Sequence, residues 1–176
     1  MYPDLLLGID ALIVAVIAAV IDVRQHRIPN WLTYSGIAMG IMLRWAFFGW
    51  PGLGSAVAGC VLAGGVVFLF YLVRAMGAGD VKLLAALGSL VGSGHVLVVL
   101  VATAICGGVL AILYAAYRGR MGATVRNVGS VLKFHTWGGL HAHPELNLDN
   151  PSALRMPYGL AIASGTLYAF LANWWR

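Results

Sequence analysis

Long apolar runs constrain this chain more than any other feature of its sequence. The runs cover residues 5–23, 31–50, 53–73, 81–91, 96–117 and 158–175. A helix needs about 20 residues to cross a hydrocarbon core about 30 Å thick, so all the runs except the short fourth one are suited to span a membrane. Continuous apolar runs favour helices, because the strands of a membrane barrel alternate in polarity over about 10 residues.

The composition supports a membrane protein, since 61% of the residues are hydrophobic and 10% are charged. A soluble domain is roughly half apolar and about a quarter charged, so a soluble chain of 176 residues lacks the surface to cover so much apolar material. We therefore predict one integral membrane domain over residues 1–176. The expected fold is all-α, a polytopic bundle of six transmembrane helices with a short fourth span and a long cytoplasmic loop before the sixth.

The distribution of basic residues predicts the orientation of the bundle. With the N-terminus outside, nine of the eleven Lys and Arg residues lie on the inner side: Arg24, Arg27, Arg74, Lys82, Arg118, Arg120, Arg126, Lys133 and Arg155. Cytoplasmic loops carry such an excess, so we expect both termini outside and the basic loops in the cytoplasm. The net charge of +5 is then explained by topology and anionic lipid, without a nucleic-acid partner.

Asp10, Asp22 and Asp80 lie within or beside the apolar runs. Ionisable residues in such positions are costly and mark functional sites by default. Asp22 and Asp80 both fall at the cytoplasmic side of the expected bundle, whereas Asp10 lies about 18 Å from Asp22 along a helix, toward the outer side and in the direction of Arg44. Taken singly, Asp22 is also explained as a solvated helix end paired with a nearby arginine, and Asp80 as a carboxylate at a helix N-terminus.

The segments that flank these two aspartates suggest a wet cleft. Gly77 and Gly79 precede Asp80, and they allow the tight backbone and close approach that a loop at membrane depth requires. Pro29 marks the start of the second span, with Asn30 as its expected N-cap. Two carboxyl groups held close together do not both ionise easily, so they can share a proton and hydrolyse a peptide by general acid–base catalysis, without a metal or cofactor.

Three motifs resemble the type IV prepilin peptidases: D-V-R-Q-H-R-I-P-N-W-L-T from Asp22, G-A-G-D-V-K from Gly77 and M-P-Y-G from Met156. The small form found with tight-adherence (Flp-type) pilus systems is the most similar. The resemblance implies a membrane aspartyl endopeptidase of the glycine-x-glycine-aspartate class, in the bacterial inner membrane. Such enzymes remove a basic leader from prepilins at the cytoplasmic face.

Carried onto this chain, the resemblance assigns the catalytic pair to Asp22 and Asp80. Gly77 and Gly79 would shape the active-site loop, with Lys82 as a companion of the motif. Larger members of the family carry a cytoplasmic insert with paired C-x-x-C motifs and also N-methylate the new amino terminus. This sequence has no such insert before Asp22, so whether it methylates the new amino terminus stays an open part of the resemblance.

Two other functions fit the same residues. A small proton- or ion-coupled transporter would also use intramembrane aspartates, although its sites are expected at the midplane between inverted repeats. A membrane scaffold without activity would use the aspartates for packing alone.

The connection over residues 118–157 is long for a loop. Its first half has apolar residues at helical spacing among basic ones, which indicates either a basic helix on the membrane surface or a solvated linker. His135, His141, His143 and Glu145 follow, but their irregular spacing does not predict a metal site. We expect prepilins and membrane lipid to be the partners.

Overall fold

The computed structural model describes residues 3–138 and 157–173, without the side chains of residues 123, 131–138 and 173. Within these residues the chain forms helices α1 (Pro3–Gln25), α2 (Asn30–Leu72), α3 (Ala78–Tyr117), α4 (Met121–Gly138) and α5 (Tyr158–Asn173). The described part contains no strand, so the predicted all-α class is confirmed.

Helix α2 consists of two arms that fold back on each other at Gly49. The backbone of Gly49 leaves helical geometry there, with φ 62° and ψ −146°. Gly36 in the first arm and Gly64 in the second both approach the same part of α3, because a Cβ added to them would lie 3.1 Å from Ala86 and 3.2 Å from Ala85. In a straight helix these two glycines would be about 42 Å apart, so the chain must reverse its direction between them.

Helix α3 reverses in the same way at Gly92, where φ is 72° and ψ is 176°. Asp80 in its first arm and Gly107 in its second arm both lie near Tyr158. A straight helix would separate Asp80 from Gly107 by about 40 Å. Both conformations lie in a backbone region that is essentially restricted to glycine.

Four of the predicted spans therefore lie in two hairpin-like helices, and the arm over residues 78–91 contains the short fourth run. Among the described residues, α1, α2 and α3 are long and apolar enough to cross a membrane, whereas α5 is shorter. The first half of the connection over residues 118–157 is helical, which was one of its two predicted alternatives, since α4 occupies Met121–Gly138. Residues 139–156 of that connection, with His141, His143 and Glu145, lie outside the described residues.

Glycine contacts and buried leucines hold the arms together. Gly59 of α2 and Gly88 of α3 approach so closely that a Cβ on either would overlap the backbone of the other. This close backbone packing is typical of helices in lipid. There the hydrophobic effect does not drive association, and small residues let helices associate through van der Waals contact. The largest fully buried apolar side chains come from α1, α3 and α5: Leu7, Leu83, Leu84, Leu87, Leu90 and Ile162.

Arg44 closes the end of the bundle where α3 reverses. Its Nε donates a hydrogen bond to the carbonyl of Leu90 at 3.0 Å, and its Nη2 donates one to that of Val91 at 2.6 Å. The reversal at Gly92 removes the helical partners of these carbonyls, so the buried guanidinium replaces them. Arg44 forms an ion pair with Asp4 at 3.7 Å, although the sequence had placed Asp10 in its direction.

Candidate active site

Asp22 lies in the last turns of α1 and is 8% exposed. Its Oδ2 accepts a hydrogen bond of 2.8 Å from the backbone amide of Gly159, in the first turn of α5. The first amides of a helix have no partner within the helix, and they favour a negatively charged acceptor. The end of α1 is thus joined to the start of α5 through a carboxylate.

Asp80 occupies the first turn of α3 and is half-buried. Its Oδ2 accepts a hydrogen bond of 3.2 Å from the amide of Gly77, the residue that precedes the helix. A carboxylate in the first turn that accepts the N-cap amide is one half of the capping-box arrangement. The chain before Asp80 is therefore held in an extended conformation, with Gly77 at φ −78° and ψ 151°.

The two aspartates lie at the same end of the helices and interact electrostatically with each other. Tyr158 is the third group at this end: its phenol lies within electrostatic range of Asp80 and of Cys106, and it packs against Gly107. The structure thus brings together two carboxyl groups from α1 and α3, with the start of α5 beside both.

Gly79 lets the α1–α2 connection approach the start of α3. A Cβ on Gly79 would lie 3.2 Å from the Cβ of Ile28 and 3.7 Å from its backbone nitrogen. Pro29 follows Ile28 and is extended, with φ −72° and ψ 140°, which turns the chain from this contact into α2. Both glycines of the predicted loop therefore border contacts that any larger residue would alter.

Lys82 and Asn30 form a second link between these segments. The Nζ of Lys82 donates a hydrogen bond of 2.9 Å to Oδ1 of Asn30 and lies 5.2 Å from the centroid of the Tyr34 ring. The expectation that Asn30 caps α2 is wrong, because Pro29 occupies the N-cap position and no side chain makes the capping hydrogen bond. The side-chain oxygen of Asn30 accepts its hydrogen bond from Lys82 instead of from a backbone amide of α2.

The sequence reasoning assigned no contact to Tyr158 or Gly159. The signals for them were their place in the M-P-Y-G motif of the resemblance and at the beginning of an apolar run. Contact across 137 residues depends on how α5 packs against α1, and no local pattern encodes this. Among the described residues, no group of three or more His, Cys, Asp and Glu side chains is placed to hold a metal ion.

The fold and this site define a helical protein with long apolar segments and two acidic side chains at one end of them. The chain matches the model of the type IV leader peptidase family over residues 10–112, more than half of its length and including both Asp22 and Asp80. It belongs to that family and is a peptidase, as the resemblance indicated. No curated protein and no solved structure matches the chain.

Proposed function

We propose that the chain is an aspartic endopeptidase that removes the basic leader from type IV prepilins of the Flp type, at the cytoplasmic face of the bacterial inner membrane. The observation that carries this proposal is the placement of Asp22 and Asp80 at one end of the helices. Ile28, in the connection that follows α1, lies beside Gly79, and the two carboxyl groups are within electrostatic range of each other. The family match supports a leader peptidase over a transporter or an inactive scaffold, because it covers both aspartates.

The proposed chemistry needs only the two carboxyl groups and a water molecule. One aspartate, as the carboxylate, takes a proton from the water while the oxygen attacks the scissile carbonyl carbon. The other aspartate, as the acid, gives its proton to the carbonyl oxygen, which yields a neutral tetrahedral intermediate. The protons then return so that the leaving nitrogen is protonated, the C–N bond breaks, and a carboxylic acid and an amine are released.

The membrane arrangement that we propose has six crossings: α1, the two arms of α2, the two arms of α3, and α5. The reversals at Gly49 and Gly92 support this count, because each converts one long helix into two antiparallel arms. With the N-terminus outside, both aspartates lie at the inner face beside Arg24 and Lys82. A substrate with an apolar helix and a basic leader would bring its cleavage point to that face, with the helix in lipid and the leader in the cytoplasm.

Cleavage of a co-expressed Flp-type prepilin tests the proposal. We expect the Asp22→Asn and Asp80→Asn variants to accumulate in membranes at the normal level and to leave the leader uncut, with processing reduced at least 1,000-fold, about 4 kcal/mol of lost transition-state stabilisation. Asp10→Asn is the matched control, since it removes a carboxylate from the same helix about 18 Å away. Normal processing by either of the first two variants would refute the peptidase mechanism. Mass spectrometry of the product gives the cleavage position and shows whether a methyl group is added.

A chelator provides the second control for the chemistry. An aspartate pair needs no metal ion, so EDTA should leave the cleavage rate of the purified protein unchanged. A transporter would behave differently, because flux would fall in the aspartate variants whereas the length of the prepilin would be the same with or without the protein.

A further inference from the structure

The amide of Gly159 is placed to stabilise one protonation state of Asp22. It belongs to the first turn of α5, where backbone amides lack helical partners and carry the positive end of the helix dipole. The carboxyl group that accepts its hydrogen bond is 8% exposed, so water contributes little to its solvation. A hydrogen bond to a carboxylate favours the ionised form, and the effect is larger where water is excluded.

The absence of a side chain at position 159 favours this approach. A Cβ there would lie 3.0 Å from both the Cβ and the Oδ2 of Asp22, and 3.2 Å from the Cα of Ala19. These distances are shorter than ordinary van der Waals contact, so a larger residue must move Asp22 or separate α5 from α1. The missing side chain of Gly159 therefore sets the position of the Asp22 carboxyl group.

Asp80 has a different environment. Its hydrogen bond from Gly77 is longer, 3.2 Å against 2.8 Å, and it comes from the same short segment of chain. N–H donors approach an ionised acceptor more closely than a neutral one, which favours charge on Asp22 over charge on Asp80. The phenol of Tyr158, one residue before Gly159, lies within electrostatic range of Asp80.

We propose that Gly159 is a positioning residue whose amide holds Asp22 as the carboxylate, so that Asp22 is the general base and Asp80 carries the shared proton as the general acid. This assignment rests on the proposed function. Asp22 takes the proton of the attacking water, and Asp80 protonates the carbonyl oxygen. In the second step Asp22 gives its proton to the leaving nitrogen, and Asp80 regains one from a hydroxyl of the intermediate as the C–N bond breaks.

Other ionisable groups near Asp22 remain the same in the variants that test this. Asp80 faces it from α3 and Tyr158 lies beside the pair on α5, while Arg24 lies on α1 and His26 and Arg27 follow in the exposed connection. Each glycine variant therefore changes one amide contact and leaves these ionisable groups in place.

The test is the pH profile of kcat/KM for cleavage of a purified prepilin in detergent, whose acid side reports the base and whose alkaline side reports the acid. Gly159→Ala weakens the contact to Asp22, so ionisation of the base requires a higher pH and the acid side should move up by about one unit.

Gly77→Ala places a Cβ 3.2 Å from Oδ2 of Asp80 and weakens the other contact. In Gly77→Ala the alkaline side of the kcat/KM profile should move to higher pH, and its acid side should stay in place. Gly108→Ala is the control, because a Cβ on this exposed glycine of α3 meets nothing within 4 Å.

The proposal is overturned if Gly159→Ala moves the alkaline side of the profile or if Gly77→Ala moves its acid side. It is also overturned if neither variant changes the pH profile. If Gly159→Ala does not fold, Gly77→Ala decides alone, since the extended backbone of Gly77 accepts alanine without strain. These results are distinct from a failure of the proposed function, which would appear as normal cleavage by the Asp22→Asn or Asp80→Asn variant.

Discussion

Arg44 donates a 2.6 Å hydrogen bond to the carbonyl of Val91, 47 residues later in the chain, at the end of the helical arm that begins beside Asp80. This bond and the one to Leu90 terminate that arm at the face of the bundle opposite the aspartates. The arginine, its ion pair with Asp4 and the reversal at Gly92 thus fix the far end of the arm, and the position of Asp80 depends on how that arm is held.

Replacing Arg44 with methionine should lower the free energy of unfolding by about 3 kcal/mol, because two carbonyls lose a charged donor while the side-chain volume is kept. Unfolding by SDS in mixed micelles measures the change. Asp4→Asn is the control, since Asp4 is 50% exposed and its ion pair should contribute less than about 1 kcal/mol. Equal effects of the two substitutions would mean that the ion pair, and not the carbonyl contacts, stabilises this end.

Alanine at Gly92 should destabilise the protein more than alanine at Gly49. Both glycines have a positive φ, and a non-glycine residue there costs about 1–3 kcal/mol. A Cβ at Gly49 meets nothing within 4 Å, whereas one at Gly92 would lie 2.6 Å from Oγ of Ser55 and 2.7 Å from Nη1 of Arg44. The same SDS titration compares the two variants, and the expected order is contradicted if Gly49→Ala is the less stable protein.

Gly79→Ala should reduce prepilin cleavage at least tenfold, about 1.4 kcal/mol, by pushing the Ile28 connection away from the start of α3. The double variant Gly79→Ala with Ile28→Gly removes the side chain that the new methyl group contacts, and it should recover part of the rate. Measured cleavage rates at equal membrane abundance check both statements. No recovery in the double variant would indicate that Gly79 acts through its backbone conformation and not through this contact.

Thr103→Val should leave stability unchanged or raise it by up to about 1 kcal/mol, because the buried hydroxyl of Thr103 has no hydrogen-bond partner in the part of the chain that the structure describes. Thr166→Val is the matched control on α5: its hydroxyl donates to the carbonyl of Ile162 at 2.8 Å. Both threonines are 2% exposed, so burial is equal and only the hydrogen bond differs. Thr103→Val should therefore unfold at a higher temperature in detergent than Thr166→Val. The opposite order would show that the hydroxyl of Thr103 has a hydrogen-bond partner.

The sequence predicted the helical class because the apolar runs are long and continuous, and a chain in lipid must satisfy its backbone within each segment. It also singled out Asp22 and Asp80, since charge is rare among so many apolar residues. The glycines before Asp80 predicted that another segment approaches closely there, but only the structure showed that this segment is the connection containing Ile28. The N-cap assigned to Asn30 failed because local propensity ignored Lys82, which lies 52 residues away and binds the same amide oxygen.

The amino-acid sequence by itself therefore indicated a membrane protein, its helical class and the two carboxyl groups of the proposed site, because these depend on composition and on spacing along one segment. Tertiary structure alone decided that α2 and α3 fold back at Gly49 and Gly92, that Arg44 pairs with Asp4, and that Gly159 contacts Asp22. Each of these features depends on packing between helices. The conformational entropy lost in bringing distant residues together is offset by many buried contacts and not by any short motif.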